Sequence, residues 1–107
     1  MTEAGRTQKF IEMLKRKRPQ WQVLKFNDRT TRGIPDMCVC NGTRTMWIEC
    51  KMDKGRKPEF QRWMLDRLGG KYLIFDEHGY MYLQSPYGQD KFLDPVTYIS
   101  LFLAGRL

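Results

Sequence analysis

Two acidic residues stand inside apolar, strand-like runs on either side of a tight turn, and this arrangement limits the possible folds more than any other feature. After Gly33, Ile34 to Cys40 reads as one strand, carrying Asp36 behind Pro35, and Thr45 to Lys51 reads as the next, carrying Glu49 within Trp47-Ile48-Glu49-Cys50-Lys51. Asn41-Gly42 between them is a strong hairpin signal. A charge in such a run is costly unless something binds it. Side chains alternate along a strand, so Trp47, Glu49 and Lys51 share one face. Residues directly opposite in an antiparallel pair also share a face. If the turn spans Asn41 to Arg44, Cys40 faces Thr45 and Asp36 lies opposite Glu49. If Asn41-Gly42 alone form the turn, Asp36 faces Trp47, still on the side of Glu49. Only a three-residue loop would part the two acids, so most registers bring Asp36, Glu49 and Lys51 together.

The rest of the chain supplies layers for that hairpin. Thr2-Glu3 opens a helical pattern in which Phe10, Ile11 and Leu14 recur, ending before Pro19. Trp21 to Phe26 reads as a first strand and Asn27 to Arg32 as a polar loop. Met52 to Lys57 is a basic loop, and Pro58 starts a helix through Leu68 that Gly69-Gly70 stops. Lys71 to Phe75 and Tyr80 to Leu83 read as strands joined at His78-Gly79. Ser85 to Lys91 reads as irregular, and Asp94-Pro95 caps a last helix, Val96 to Leu103. The expected order is α-β-β-β-α-β-β-α, an α/β domain spanning residues 1–107 with a mixed sheet flanked by helices.

With 107 residues the chain can bury one modest core. Its net charge of +7 favours a polyanionic partner, nucleic acid above all. No stretch reaches the roughly 18 apolar residues of a membrane span. Met1 to Arg18 is charged and lacks the apolar centre of a secretory signal. Three cysteines without a disulfide-rich pattern fit a reducing cytoplasm. Cys38, Cys40, Cys50 and the lone His78 lack zinc-site spacing, so buried free thiols are expected.

Converging carboxylates repel, and a shared proton or a bound cation relieves them. Asp36, Glu49 and the backbone carbonyl of Cys50 form an all-oxygen set suited to Mg²⁺ or Mn²⁺. Such an ion can polarise a phosphate oxygen and lower the pKa of bound water. Lys51 beside it can neutralise charge building on the phosphorus. An E-x-K triplet alone is usually a surface ion pair; Asp36 converging on it favours the catalytic reading.

These residues resemble the virus-type replication-repair nuclease (VRR-NUC) domain, a branch of the PD-(D/E)xK nuclease superfamily. The resemblance rests on Gly33-Ile34-Pro35-Asp36, on Ile48-Glu49-Cys50-Lys51, and on Gln61 within Pro58-Glu59-Phe60-Gln61-Arg62-Trp63. With the first helix it covers about three quarters of the chain, and the order of its motifs makes it more specific than any one of them. It implies a restriction-endonuclease-like fold and a metal-dependent endonuclease acting on branched or flapped DNA; a four-way junction is the structured substrate that the leading reading adds. Gln61 then helps position Lys51 or an attacking water. The family also carries a glutamate on its first helix, for which Glu3 and Glu12 are candidates. At about 100° per residue Glu3 shares the stripe of Phe10 and Leu14, so Glu3 is chosen. Cys50 stands where the family often has an aliphatic residue, and its carbonyl is unaffected by that change.

Arg29, Arg32, Lys54, Arg56 and Lys57 flank the two acidic strands on loops, where a phosphate backbone would run. Trp63, at helical spacing from Phe60 and Arg67, is expected in the core, and His78 is expected to be inert. A binding module of the same fold without catalysis is the alternative, and a basic RNA-associated protein is a third; neither explains the paired acids. Val96, Tyr98, Ile99, Leu101, Phe102 and Leu103 make the last helix apolar around nearly its whole circumference. That surplus points to a homodimer, and stand-alone viral members of the family look suited to dimeric action. The expected setting is the cytoplasm of a viral or bacterial host cell.

Overall fold

The Asn41–Arg44 turn closes as the four-residue alternative. Cys40 pairs with Thr45 and Met37 with Ile48, and the Asn41 carboxamide oxygen accepts from the N–H groups of Thr43 and Arg44. Such side-chain capture of a turn is what asparagine supplies, and Gly42 takes the positive φ of +94° that the loop needs. The hairpin strands are β2 (Met37–Cys40) and β3 (Thr45–Met52), with β1 (Gln22–Lys25) antiparallel on the outer side of β2. These elements come from a computed structural model describing residues 2–26 and 33–107. Arg29 and Arg32 lie outside the described residues.

From β3 the chain crosses through α2 (Glu59–Arg67) to β4 (Lys71–Phe75), which runs parallel to β3. Then β5 (Met81–Gln84) and β6 (Lys91–Phe92) add antiparallel strands, giving a six-stranded sheet in sequential order. Gly70 makes the α2–β4 return possible: a Cβ there would meet Leu65 Cδ1 at 2.5 Å and the Trp47 carbonyl oxygen at 2.7 Å.

Two helices cover one face and one covers the other. The first, α1 (Glu3–Lys17), is capped by the Thr2 hydroxyl and packs Phe10, Ile11 and Leu14 onto Met46, Ile48 and Cys50. The last, α3 (Pro95–Leu103), is capped by Asp94 and adds Ile99 and Leu103 to the same core. On the opposite face Leu65 of α2 packs with Tyr72, Ile74 and Tyr82, and Trp47 lies against them.

Element types follow the sequence expectation, with local differences. Pro58 sits at the cap of α2 rather than inside it. β6 arises within the stretch read as a loop and its border, because two residues suffice to extend the ladder from β5. Trp63 is 46% exposed, against the expectation of a core position. The α2 stripe turned to the sheet runs through Leu65, and Trp63 falls off it, beside Phe60 and under the Arg67 guanidinium. Most apolar residues of α3 are covered by their own chain: Tyr98 meets Phe92, and Arg44 lies over Phe102. Leu101 remains exposed.

Candidate active site

β3 outruns β2, and the site occupies the resulting gap. The β2 ladder ends at Met37↔Ile48, while β3 continues to Met52 along β4. Residues of a strand point their N–H and C=O alternately to the two neighbours. Ile48 faces β2, so Cys50 and Met52 present their backbone groups to an edge where no strand remains. Carboxylates take those donors. Asp36 Oδ2 accepts from the Cys50 N–H at 2.9 Å, and Glu3 Oε2 accepts from the Met52 N–H at 3.3 Å. The Cys50 carbonyl points to the same edge by the same alternation.

Asp36 lies one residue before β2, directly across from Glu49 when the register is continued. Its backbone is pinned on both sides, with its N–H donating to Glu49 Oε1 at 3.0 Å and its carbonyl accepting from the Phe26 N–H at 2.8 Å. Gly33, at φ +83°, turns the chain into this segment; a Cβ there would stand 2.8 Å from the Phe60 ring of α2. Glu49 is 4% exposed, and its other oxygen pairs with Lys51 Nζ at 3.5 Å. Burial, and next the charge of Asp36, push the Glu49 carboxyl up to about 7, against the pull of Lys51 and the Asp36 N–H.

Such a carboxylate has a charge without enough compensation. Asp36, Glu49 and the Cys50 carbonyl fit a hard divalent cation, which commonly takes one or two carboxylates and keeps several waters. The Cys50 thiol cannot serve, since burial pushes it up to about 12. Among the described residues no cluster of three or more His, Cys, Asp and Glu side chains is gathered as a metal cage. The donor set is two side chains and one carbonyl.

The other sequence candidates divide. Glu3 reaches β3 and lies near Cys50 with Asp36 and Glu49, whereas Glu12 is exposed beside Gln8. Gln61, one turn ahead of Leu65, is half-buried, and its Oε1 is buried without a hydrogen-bond partner. Lys54 and Arg56 are exposed, and Lys57 lies 6.0 Å from the centre of the Tyr72 ring. His78 pairs with Glu77 at the surface. The sequence reading missed Tyr72 and Arg62. Tyr72 pairs with Glu49 across β3 and β4, and its hydroxyl and Arg62 Nε are both buried and unpartnered. The parallel crossover brings Tyr72 beside Glu49, and Arg62 of α2 lies beside Tyr72, so no local motif marks them.

No protein-family model and no curated protein matches the sequence. Among solved structures, Hjc of Archaeoglobus fulgidus, a Holliday junction resolvase from an archaeal hyperthermophile, matches over 90% of this chain and 92% of its own. The TM-score is 0.60 at 12% identity. The likeness is therefore one of architecture: the chain has an Hjc-like, restriction-endonuclease-type fold.

Proposed function

We propose that the protein is a divalent-metal-dependent endonuclease of VRR-NUC type that hydrolyses phosphodiester bonds in branched DNA. The observation that carries this reading is the meeting of Asp36, Glu49 and Lys51 where β3 outruns β2. A binding surface for phosphate gains nothing from two carboxylates that repel it. The matched Hjc structure is that of a Holliday junction resolvase, which supports a junction as substrate.

Asp36, Glu49 and the Cys50 carbonyl would hold Mg²⁺ or Mn²⁺, which supplies Lewis-acid polarisation of the phosphate and a water of lowered pKa. Lys51, held by Glu49, presents a positive charge to the phosphoryl oxygens as negative charge builds there. The unpartnered Gln61 oxygen accepts a hydrogen bond from the attacking water and orients it. Glu3 keeps the exposed edge of β3 in place through the Met52 N–H. Lys54, Arg56 and Lys57, with Arg29 and Arg32, contact the DNA backbone.

The working form is a homodimer. Leu93 before α3, Leu101 within it and Leu107 after it stay exposed, apolar surface that a second copy would cover, and two symmetric sites suit paired strands of a junction. Among the described residues no helix is long and apolar enough to cross a membrane.

A panel of junction, flap and linear duplex DNA with Mn²⁺ tests the activity. Cleavage of branched substrates by the wild type and none by Asp36→Asn is expected; Asp36→Asn turnover near the wild-type rate would reject the assignment.

A further inference from the structure

A cleft of about 310 Å³ opens between α2 and the segment joining β5 to β6. Lys57, Arg62, Tyr72, Gln84, Tyr87 and Gln89 are among its lining residues. Some of its polar groups are already satisfied. The Gln84 amide donates to the Gln89 carbonyl at 3.2 Å, and the Tyr87 hydroxyl donates to Glu59 Oε1 at 2.6 Å. What remains is a set of donors. Tyr72 is 1% exposed, and its hydroxyl proton has no acceptor, since the neighbouring Arg62 is itself a donor; Arg62 Nε is buried and unpartnered. The Arg62 guanidinium sits beside the Tyr72 hydroxyl and under the Tyr87 ring, 5.7 Å from its centre. Neither Lys57 nor Arg62 has an ion-pair partner among the described residues.

Buried donors left without acceptors cost free energy in the free protein, and that cost is recovered when an acceptor binds. Two cations with a phenolic O–H favour an anion with several oxygens. Of the acids nearby, Glu59 holds Tyr87, Glu49 belongs to the site one strand away, and Asp66, one turn along α2, makes no ion pair with Arg62. Glu49 and Tyr72 are partners on neighbouring strands, which lie about 4.8 Å apart, so the cleft is within reach of a DNA strand whose phosphate sits at the acid pair.

Resting on the nuclease reading above, we infer that Arg62, Tyr72 and Lys57 form a subsite for a backbone phosphodiester next to the one cleaved. The subsite sets the register of the strand: a phosphate seated on Tyr72 and Arg62 fixes which neighbouring phosphate reaches Asp36 and Glu49. Arg62 and Tyr72 are positioning residues in this scheme.

Binding of a fluorescein-labelled four-way junction to the full chain, in EDTA and across 50 to 200 mM salt (on the order of the range where phosphate contacts show), tests it. Tyr72→Phe should weaken binding about tenfold, while the melting temperature of the free protein stays the same or rises. A purely structural hydroxyl would instead lower it. Arg62→Gln should reduce the slope of log affinity against log salt by about one. Arg62→Lys should keep the slope and still lose affinity, because an ammonium lacks the planar fork. Wild-type binding by Tyr72→Phe, or a fall in its melting temperature, overturns the subsite. Displacement by inorganic phosphate that Tyr72→Phe loses while it binds the junction as the wild type does would assign the cleft to a free anion and overturn the subsite as well. Wild-type protein assayed in parallel with Mn²⁺ separates the two claims. No cleavage with the Tyr72 effect intact strikes the nuclease reading alone; normal cleavage with unchanged variant binding strikes the subsite alone.

Discussion

Replacing Glu49 with glutamine should stabilise the metal-free protein, and more so as pH rises. The Glu49 carboxyl ordinarily ionises near 4.5 and in the fold near 7. Below 4.5 it is protonated in both folded and unfolded chains and costs nothing. Between the two values the folded chain holds a proton that the unfolded chain has lost, so stability falls as pH rises. Above about 7 the full cost is present, about 3 kcal/mol at about 1.4 kcal/mol per pH step. Glutamine keeps an oxygen for the Asp36 N–H but leaves Lys51 without its counter-charge, so the expected gain at pH 8 is about 2 kcal/mol. At pH 5 the ionisation cost is under about 1 kcal/mol. For a domain of this size the pH 8 gain corresponds to a rise on the order of 10 °C in melting temperature. Thermal melts of both proteins in EDTA at pH 5 and pH 8 measure the difference directly. Adding Mn²⁺ at pH 8 should then stabilise the wild type and leave Glu49→Gln nearly unmoved. A gap between the two proteins that does not widen with pH, or equal Mn²⁺ stabilisation of both, would refute the reasoning.

Lys51→Ala should reduce turnover by about a hundredfold or more at saturating Mn²⁺, with little change in the Mn²⁺ concentration needed, since its charge acts on the transition state; lost metal affinity with normal turnover would make it structural. Light scattering at micromolar concentration should give twice the chain mass of 12.8 kDa, and a mass near 12.8 kDa would reject the dimer.

The hairpin was legible because its parts agree. Alternation placed Glu49 and Lys51 on one face, and every even turn length put Asp36 there too; the structure selects Asn41–Arg44. Helical phase also separated Glu3, which reaches β3, from the solvated Glu12. What remained hidden has several physical causes. Asp36 precedes β2 rather than sitting inside it, because Pro35 has no N–H to give a ladder. Trp63 misled because spacing shows that residues share a helix face and does not say which face meets the sheet. Tyr72 read as an ordinary apolar strand residue, since its proximity to Glu49 arises from the β3–α2–β4 crossover. β6 is too short to leave a pattern of its own.

The unpaired stretch of β3 has a consequence for self-association. A sheet edge with free backbone donors is a template for a foreign strand, and here the template is blocked by Asp36 and Glu3, whose oxygens occupy the Cys50 and Met52 donors. Asp36, proposed above as a cation ligand, therefore also acts with Glu3 as a gatekeeper against strand addition. The proposed chemistry and the colloidal behaviour thus meet at Asp36, and the safest inactive forms of the protein keep an oxygen there and at Glu3.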